Sequence, residues 1–259
     1  MKTALITGAS SGIGKELAKI HASQGGHLVI IARSGDQLRL LKEELENQYN
    51  VSVHVIEKDL TNYNATQEIY NEVKSAGIQV DYLINNAGFG GIGKFHERDW
   101  AQDQNMILLN ITALTHLCRL FIPDFVERNE GKILNVSSTA SLMPGPMQAV
   151  YFATKAFVTS LSNALSQELS PTNITVTNLM PGATDTGFGK TSGMDKTSLF
   201  DNTATPLDVA TTAYNAMIEG KMDIKAGLTF TQKAMLHTLP ITPKKVILKM
   251  VEKMQQPKN

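Results

Sequence analysis

The sequence predicts an α/β fold, a doubly wound parallel sheet with helices on both faces. Three observations carry that expectation. Apolar runs alternate with helical patterns through most of the chain, which reads as parallel strands joined by right-handed crossovers. Several of the runs are continuous and β-branched, as strands covered on both faces require. The first run leads directly into a glycine loop and then a helical pattern.

Taken in order, the predicted strands are Thr3–Thr7, His27–Ala32, Val51–Glu57, Val80–Asn85, Lys132–Ser137 and Ile174–Leu179. Between them lie segments long enough for helices: Ile13–Gln24, Asp36–Gln48, Thr61–Ala76, Asp99–Arg128 and Val150–Leu169. Gly25-Gly26 can end the first helix in a left-handed conformation. Asp36 stands at a helix start and reads as a cap. Thr205-Pro206, with Asp208 close behind, is the pattern of a capped helix with proline in its first turn. The stretch 182–205 is rich in Gly, Thr, Ser and Asp and is expected to be a lid or binding loop. In the C-terminal segment, about 243–256, Val246, Ile247, Met250, Val251 and Met254 form one helical stripe, with Lys244, Lys245, Lys249 and Lys253 largely off it. Such a helix packs on the body or on a second subunit, or binds a membrane surface.

Bulk properties narrow the function. The 259 residues suit one domain spanning 1–259. Apolar residues make up 42% and charged residues 19%, enough for a buried core. Lys+Arg and Asp+Glu both number 24, so nothing points to nucleic acid as a partner. A single cysteine, Cys118, excludes an intrachain disulfide and a thiolate metal site. It lies in an apolar run and reads as core. The six histidines show no metal-ligand spacing. No signal peptide and no membrane-spanning run is visible, which leaves a cytoplasmic location as the expectation.

The chemistry begins at Thr7-Gly8-Ala9-Ser10-Ser11-Gly12-Ile13-Gly14, between the first strand and the first helix. Glycines there allow a tight turn and close backbone approach to a ligand. The N–H groups of the helix start then face an anion, as a dinucleotide pyrophosphate requires. The spacing is GxxxGxG rather than GxGxxG. At the end of the second strand, an NAD site would place an acid. Here Ala32 stands in that place and Arg33 follows. A guanidinium matches the oxygens of a 2′-phosphate, so NADP is favoured over NAD.

Tyr151 and Lys155 lie four apart on a predicted helix and share a face. A free tyrosine has a pKa of about 10, and a nearby ammonium is expected to lower it towards the range of a working acid–base group. Ser137 and Ser138 end the fifth strand, at the edge where open α/β sheets bind ligands.

Together with Asp59, Asn85-Asn86-Ala87-Gly88, Asn110 and Pro181-Gly182, these motifs occur in one characteristic order and spacing. The chain thereby resembles the short-chain dehydrogenase/reductase family over about its first 220 residues. The resemblance implies a Rossmann-type sheet of about seven strands in the order 3-2-1-4-5-6-7. It implies catalytic roles for Asn110, Ser138, Tyr151 and Lys155. Ser138 would bond the substrate oxygen, with Ser137 as its supporting neighbour. Lys155 would also hold the nicotinamide ribose, and Asn110 would hold a water in a proton relay to it. The cofactor would lie along Gly8, Ser10, Ser11, Gly12, Ile13, Gly14 and Arg33. Asp59 and Leu60 would border the adenine. Asn86, Ala87, Gly88, Pro181, Gly182, Thr184 and Thr186 would complete the site, Thr186 near the nicotinamide carboxamide.

The expected activity is hydride transfer between NADP(H) and a carbonyl or secondary alcohol. Phe89, Phe95, Leu142, Met143, Met147, Phe188, Met194, Leu199 and Phe200 would shape the substrate pocket and favour a lipophilic ketone or acyl chain. The long helices are expected to form a homodimer or homotetramer. The alternative is a catalytically silent NADP-binding regulatory or scaffolding protein of the same fold.

Overall fold

Alternating side chains of each central strand enter two separate cores. Leu5, Val29, Ile31, Leu83 and Ile133 face one side, and Ala4, Ile6, Leu28, Ile30 and Ile84 the other. The computed structural model describes residues 1–197, 200 and 202–256, with the side chain of Lys196 left aside. From the N-terminus the chain runs β1 (Thr3–Thr7), α1 (Gly12–Ser23), β2 (His27–Ala32), α2 (Gly35–Tyr49), β3 (Val53–Glu57), α3 (Ala65–Ser75) and β4 (Tyr82–Asn85). It continues through α4 (Trp100–Ile107), α5 (Leu114–Arg128), β5 (Gly131–Val136), α6 (Ala149–Glu168), β6 (Ile174–Pro181) and α7 (Phe188–Ser192). The last elements are α8 (Pro206–Ile218), β7 (Asp223–Ala226), α9 (Phe230–Thr238) and α10 (Lys244–Gln255).

The seven strands pair in the order 3-2-1-4-5-6-7, and every pairing is parallel. Helices α1, α2 and α8 cover one face through Leu17, Leu38, Leu45, Val209 and Met217. Helices α3, α5 and α6 cover the other through Ile69, Val73, Phe121, Phe125 and Val158. Burying side chains of this size is worth about 1.5–3 kcal/mol each. The order reverses between β1 and β4, so the carboxyl ends of β1, β4, β5 and β6 open a crevice there.

The six expected strands are present with ends shifted by at most two residues. The seventh, β7, is short and half exposed, with the sequence Asp-Ile-Lys-Ala, and offers no apolar run to read. Asp223 on it accepts a hydrogen bond from the buried Asn178 Nδ2 at 2.8 Å. Helix α3 starts four residues later than predicted. The Asp59 side chain accepts from both the N–H and the Oγ1 of Thr61, at 2.9 and 2.8 Å, and holds that segment in a turn.

The predicted Asp99–Arg128 helix is α4 and α5 joined by a π-helical turn at Leu108–Ala113. By length and composition this run would suffice to cross a membrane. Here Leu114, Leu117, Cys118, Phe121 and Phe125 are buried against the sheet. Cys118 is indeed core, and burial pushes its thiol up to about 12. Asp36 does not cap α2. Its carboxylate pairs instead with Arg39, at 2.6 Å. Thr205 does cap α8, its Oγ1 accepting the Asp208 N–H at 3.1 Å. Gly25 takes the left-handed turn with φ +77°.

The ends of the long segment after β6 are pinned together. Asp185 N–H donates to Ala204 O at 2.9 Å and Ala204 N–H to Ala183 O at 3.0 Å. The segment is therefore a closed excursion that carries α7. Leu199 lies outside the described residues. The C-terminal helix α10 packs on the body, with Ile247 and Val251 buried beside Tyr151, Phe152, Leu236 and Leu239. Val246 faces away from that contact.

Candidate active site

One cleft of about 490 Å³ crosses the carboxyl edge of the sheet. Its first wall is the loop after β1. Gly8 and Gly12 have φ of +67° and +54°, which a side chain would strain. A Cβ on Gly8 would come 2.9 Å from Asn86 Nδ2, and one on Gly12 would come 2.8 Å from Thr186 Cγ2. The backbone of the loop therefore faces the cleft directly. Ser10, Ser11 and Ile13 line it too. Ser11 precedes α1 without a side-chain capping bond, which leaves the first N–H groups of the helix for an anion.

Thr7 and Asn86 fix this loop. Asn86 Nδ2 donates to Thr7 O at 2.9 Å and Gly8 O at 3.2 Å. Thr7 Oγ1 accepts the N–H groups of Asn86 and Ala87, both at 3.0 Å. Gly14 does not line the cleft. It lies behind the loop, where a Cβ would sit 2.4 Å from both Gly8 O and Asn86 Nδ2.

At the end of the cleft near β2 and β3, Arg33 is exposed and forms no ion pair among the described residues, while Asp59 and Leu60 stand beside it. Ser34, Gln37 and Lys58 also line this end and were not singled out from the sequence. Lys58 pairs with Glu68 at 2.9 Å, which leaves Arg33 as the cation without an ion pair at this end among the described residues. The signal for Lys58 was its place directly before Asp59.

The opposite wall comes from β5 and α6. Ser138, Tyr151 and Lys155 line it together. Ser137 Oγ bonds Lys155 O at 2.9 Å and Thr159 Oγ1 at 2.8 Å, and so ties α6 to the end of β5. Ser138 Oγ accepts the Ala140 N–H at 3.1 Å and shares a side-chain hydrogen bond with Tyr151. Lys155 is 4% exposed; its Nζ donates to Val136 O at 2.9 Å and lies 5.9 Å from the centre of the Tyr151 ring.

Burial dominates the electrostatics. It lowers Lys155 to about 8. It raises Tyr151 to about 12, against the opposing pull of the Ser138 hydrogen bond. The expected lowering of the phenol by Lys155 is thus not met within the protein: burial sets the direction, and the ammonium, 5.9 Å from the ring centre, does not figure among the opposing causes.

Asn110 sits in the π-helical turn and is almost completely buried, so it does not line the cleft. Its amide bonds Phe89 N and O at 3.2 and 3.0 Å and Thr154 Oγ1 at 3.1 Å. Gly88 lies between it and the lysine. A Cβ there would come 3.0 Å from Asn110 Oδ1 and 3.3 Å from Lys155 Nζ.

Ala87, Pro181, Gly182, Thr184 and Thr186 also line the cleft. Thr184 Oγ1 donates to Gly182 O at 3.0 Å, and Thr186 Oγ1 accepts the Phe188 N–H at 3.2 Å. Of the apolar residues expected near substrate, Phe89, Met143, Phe188, Met194 and Phe200 line the cleft. Phe95 is exposed, Leu142 packs behind the site and Met147 takes a positive φ of 68° before α6. The sequence did not reveal the contribution of α9 and α10, which close this end with Met235, Leu236, Val251 and Gln255. These helices follow β7 at a distance in sequence from every motif.

The geometry fits a nicotinamide dinucleotide: a glycine-rich anion cradle, beyond it a cation with no ion pair among the described residues, and a buried hydroxyl–ammonium pair at the far end. The comparisons agree. The family described as short chain dehydrogenase matches residues 2–197. The very-long-chain 3-oxoacyl-CoA reductase of Homo sapiens is 33% identical over 69% of this chain, which spans 58% of that relative's length. A short-chain dehydrogenase from Sphingobium yanoikuyae, solved in complex with NADPH, superposes with a TM-score of 0.83 at 30% identity, over 95% of each chain. The bulky-bulky ketone specific alcohol dehydrogenase of Comamonas testosteroni gives 0.79 at 29% identity, over 93% of this chain and 92% of that one.

Proposed function

The chain belongs to the short-chain dehydrogenase/reductase family, and from that premise we propose that it is an NADP(H)-dependent oxidoreductase that reduces a lipophilic ketone or acyl carbonyl. The observation that carries this reading is the convergence of Ser138, Tyr151 and Lys155 on one wall of the cleft that the glycine loop begins. Bound NADPH would supply the hydride.

The protein's own part follows from the geometry. The backbone of Gly8–Gly12 and the start of α1 hold the pyrophosphate. Arg33 meets the 2′-phosphate with its planar fork. Ser138 holds the substrate oxygen near the Tyr151 hydroxyl. Tyr151, at about 12, keeps its proton at neutral pH and gives it up as negative charge builds on that oxygen. Lys155, at about 8, is largely charged at neutral pH and offsets the phenolate left behind. Asn110 fixes the Phe89 backbone and so keeps Gly88 against Lys155, and we assign it the place beside the proton relay to Lys155.

Support for a lipophilic substrate comes from the walls supplied by Phe89, Met143, Phe188, Met194, Leu236 and Val251, and from relatives named for acyl and bulky ketone substrates. Subunit association through α5 and α6 accords with Val126 and Phe157 being exposed on them.

The test is NADPH consumption with a panel of ketones and acyl thioesters, for wild type and Tyr151→Phe. Wild type should turn over at least one lipophilic carbonyl. The variant should bind NADPH and lose about 10²–10⁴-fold in rate. If both bind NADPH and neither consumes it with any carbonyl, the silent nucleotide-binding reading takes its place.

A further inference from the structure

We propose that the outer face of α9 and α10 is a docking surface for an anionic lipid bilayer. Phe230 at the start of α9, Ile241 in the turn that joins α9 to α10 and Val246 on α10 are 86, 85 and 54% exposed. Between Phe230 and Gln255 the chain carries five lysines, Lys233, Lys244, Lys245, Lys249 and Lys253, and one acid, Glu252, although the whole chain is neutral. All five lysines are exposed, and none forms an ion pair among the described residues. Val246, Lys249 and Lys253 share one side of α10 at three- and four-residue spacing, opposite the buried Ile247, Val251 and Gln255.

Charge decides the occupant. A two-fold copy of this chain seated on the same face would set five lysines against five, with one acid on each side to meet them. A bilayer rich in anionic headgroups satisfies both features at once. The lysines meet the headgroups while Phe230 and Ile241 enter the acyl boundary. The inner sides of the same two helices line the cleft through Met235, Leu236 and Val251. Docking would therefore bring the apolar end of the cleft beside the membrane. The binding itself does not depend on the proposed activity.

The experiment is sedimentation of the full chain with vesicles of phosphatidylcholine alone or mixed with phosphatidylserine. The chain should sediment only with the mixed vesicles and be released as salt rises. K244E/K245E should lower the bound ratio about tenfold or more, and F230S/I241S should also lower it. All variants should keep the wild-type melting temperature and NADPH affinity, so that loss of vesicle binding is not loss of fold. No sedimentation with the mixed vesicles overturns the proposal. So does binding that F230S/I241S leaves intact and that a soluble polyanion matches, which would mark a general anion surface. A concentration-dependent dimer dispersed by F230S/I241S, with no vesicle binding, would assign the face to a second copy.

Discussion

Lys155 Nζ donates a hydrogen bond to Val136 O across 2.9 Å, from the interior of α6 to the last residue of β5. This bond fixes where the buried ammonium stands. Among the described residues the ammonium faces no carboxylate, and burial lowers Lys155 from 10.5 to about 8.

The first prediction concerns stability. The folded-state pKa of Lys155 lies below the unfolded one, so between pH about 8 and 10.5 the unfolded chain holds the extra proton. Stability contributed by this group therefore rises with pH through that window, and the cost of burying the charge is fully present below it. A shift of this size corresponds to roughly 3 kcal/mol, and the Val136 hydrogen bond returns about 1–2 of it. Lys155→Met should accordingly be about 1–2 kcal/mol more stable than wild type at neutral pH, with the advantage shrinking and then reversing as pH passes through the window. Chemical denaturation at several pH values measures this. A gap that does not change with pH contradicts the assignment.

A second prediction is the pH profile of carbonyl reduction. Tyr151, at about 12, stays protonated across the working range, so the profile should be set by Lys155 losing its charge above about 8. The kcat/KM for reduction should be level near neutrality and fall on the alkaline side with an apparent pKa near 8. A rate that stays level well beyond that value would remove Lys155 charge from the mechanism.

Gly88 gives the third. A Cβ on it would lie 3.0 Å from Asn110 Oδ1 and 3.3 Å from Lys155 Nζ. Gly88→Ala should therefore narrow the gap between the two and lower kcat by about tenfold or more, as small misplacements at a reacting site do. The melting temperature should change little. Unaltered kcat would show that the gap serves packing alone.

The fourth separates the two nicotinamide cofactors. Arg33 is exposed at one end of the cleft, while its neighbour Lys58 is held by Glu68. Arg33→Ala should raise the KM for NADPH about 10–100-fold, the scale of a lost charge-assisted phosphate contact of 1.5–3 kcal/mol. The KM for NADH should stay within about twofold, because no 2′-phosphate is involved. An equal effect on both would place Arg33 away from the phosphate.

Much of this site was legible in the chain because its parts are local. Gly8 and Gly12 are demanded by the positive φ of a turn that spans a few residues. Tyr151 and Lys155 share a helical face whatever the rest of the fold does. Thr205 caps α8 through its own third neighbour. The start of α3 escaped because Asp59 competes for the Thr61 N–H. β7 escaped because a four-residue edge strand carries no buried run.

Amino-acid order alone settles the alternation of strands and helices, the loop that can cradle an anion and the pairing of Tyr151 with Lys155. Each of these depends on neighbours within one turn or one strand. Folding alone settles the pKa values, since desolvation comes from distant segments closing over Tyr151 and Lys155. It also decides that Asn110 clamps Phe89, and that α9 and α10 complete the cleft from the far end of the chain. Those relationships join residues tens to hundreds of positions apart, and no periodicity in the sequence encodes such distances.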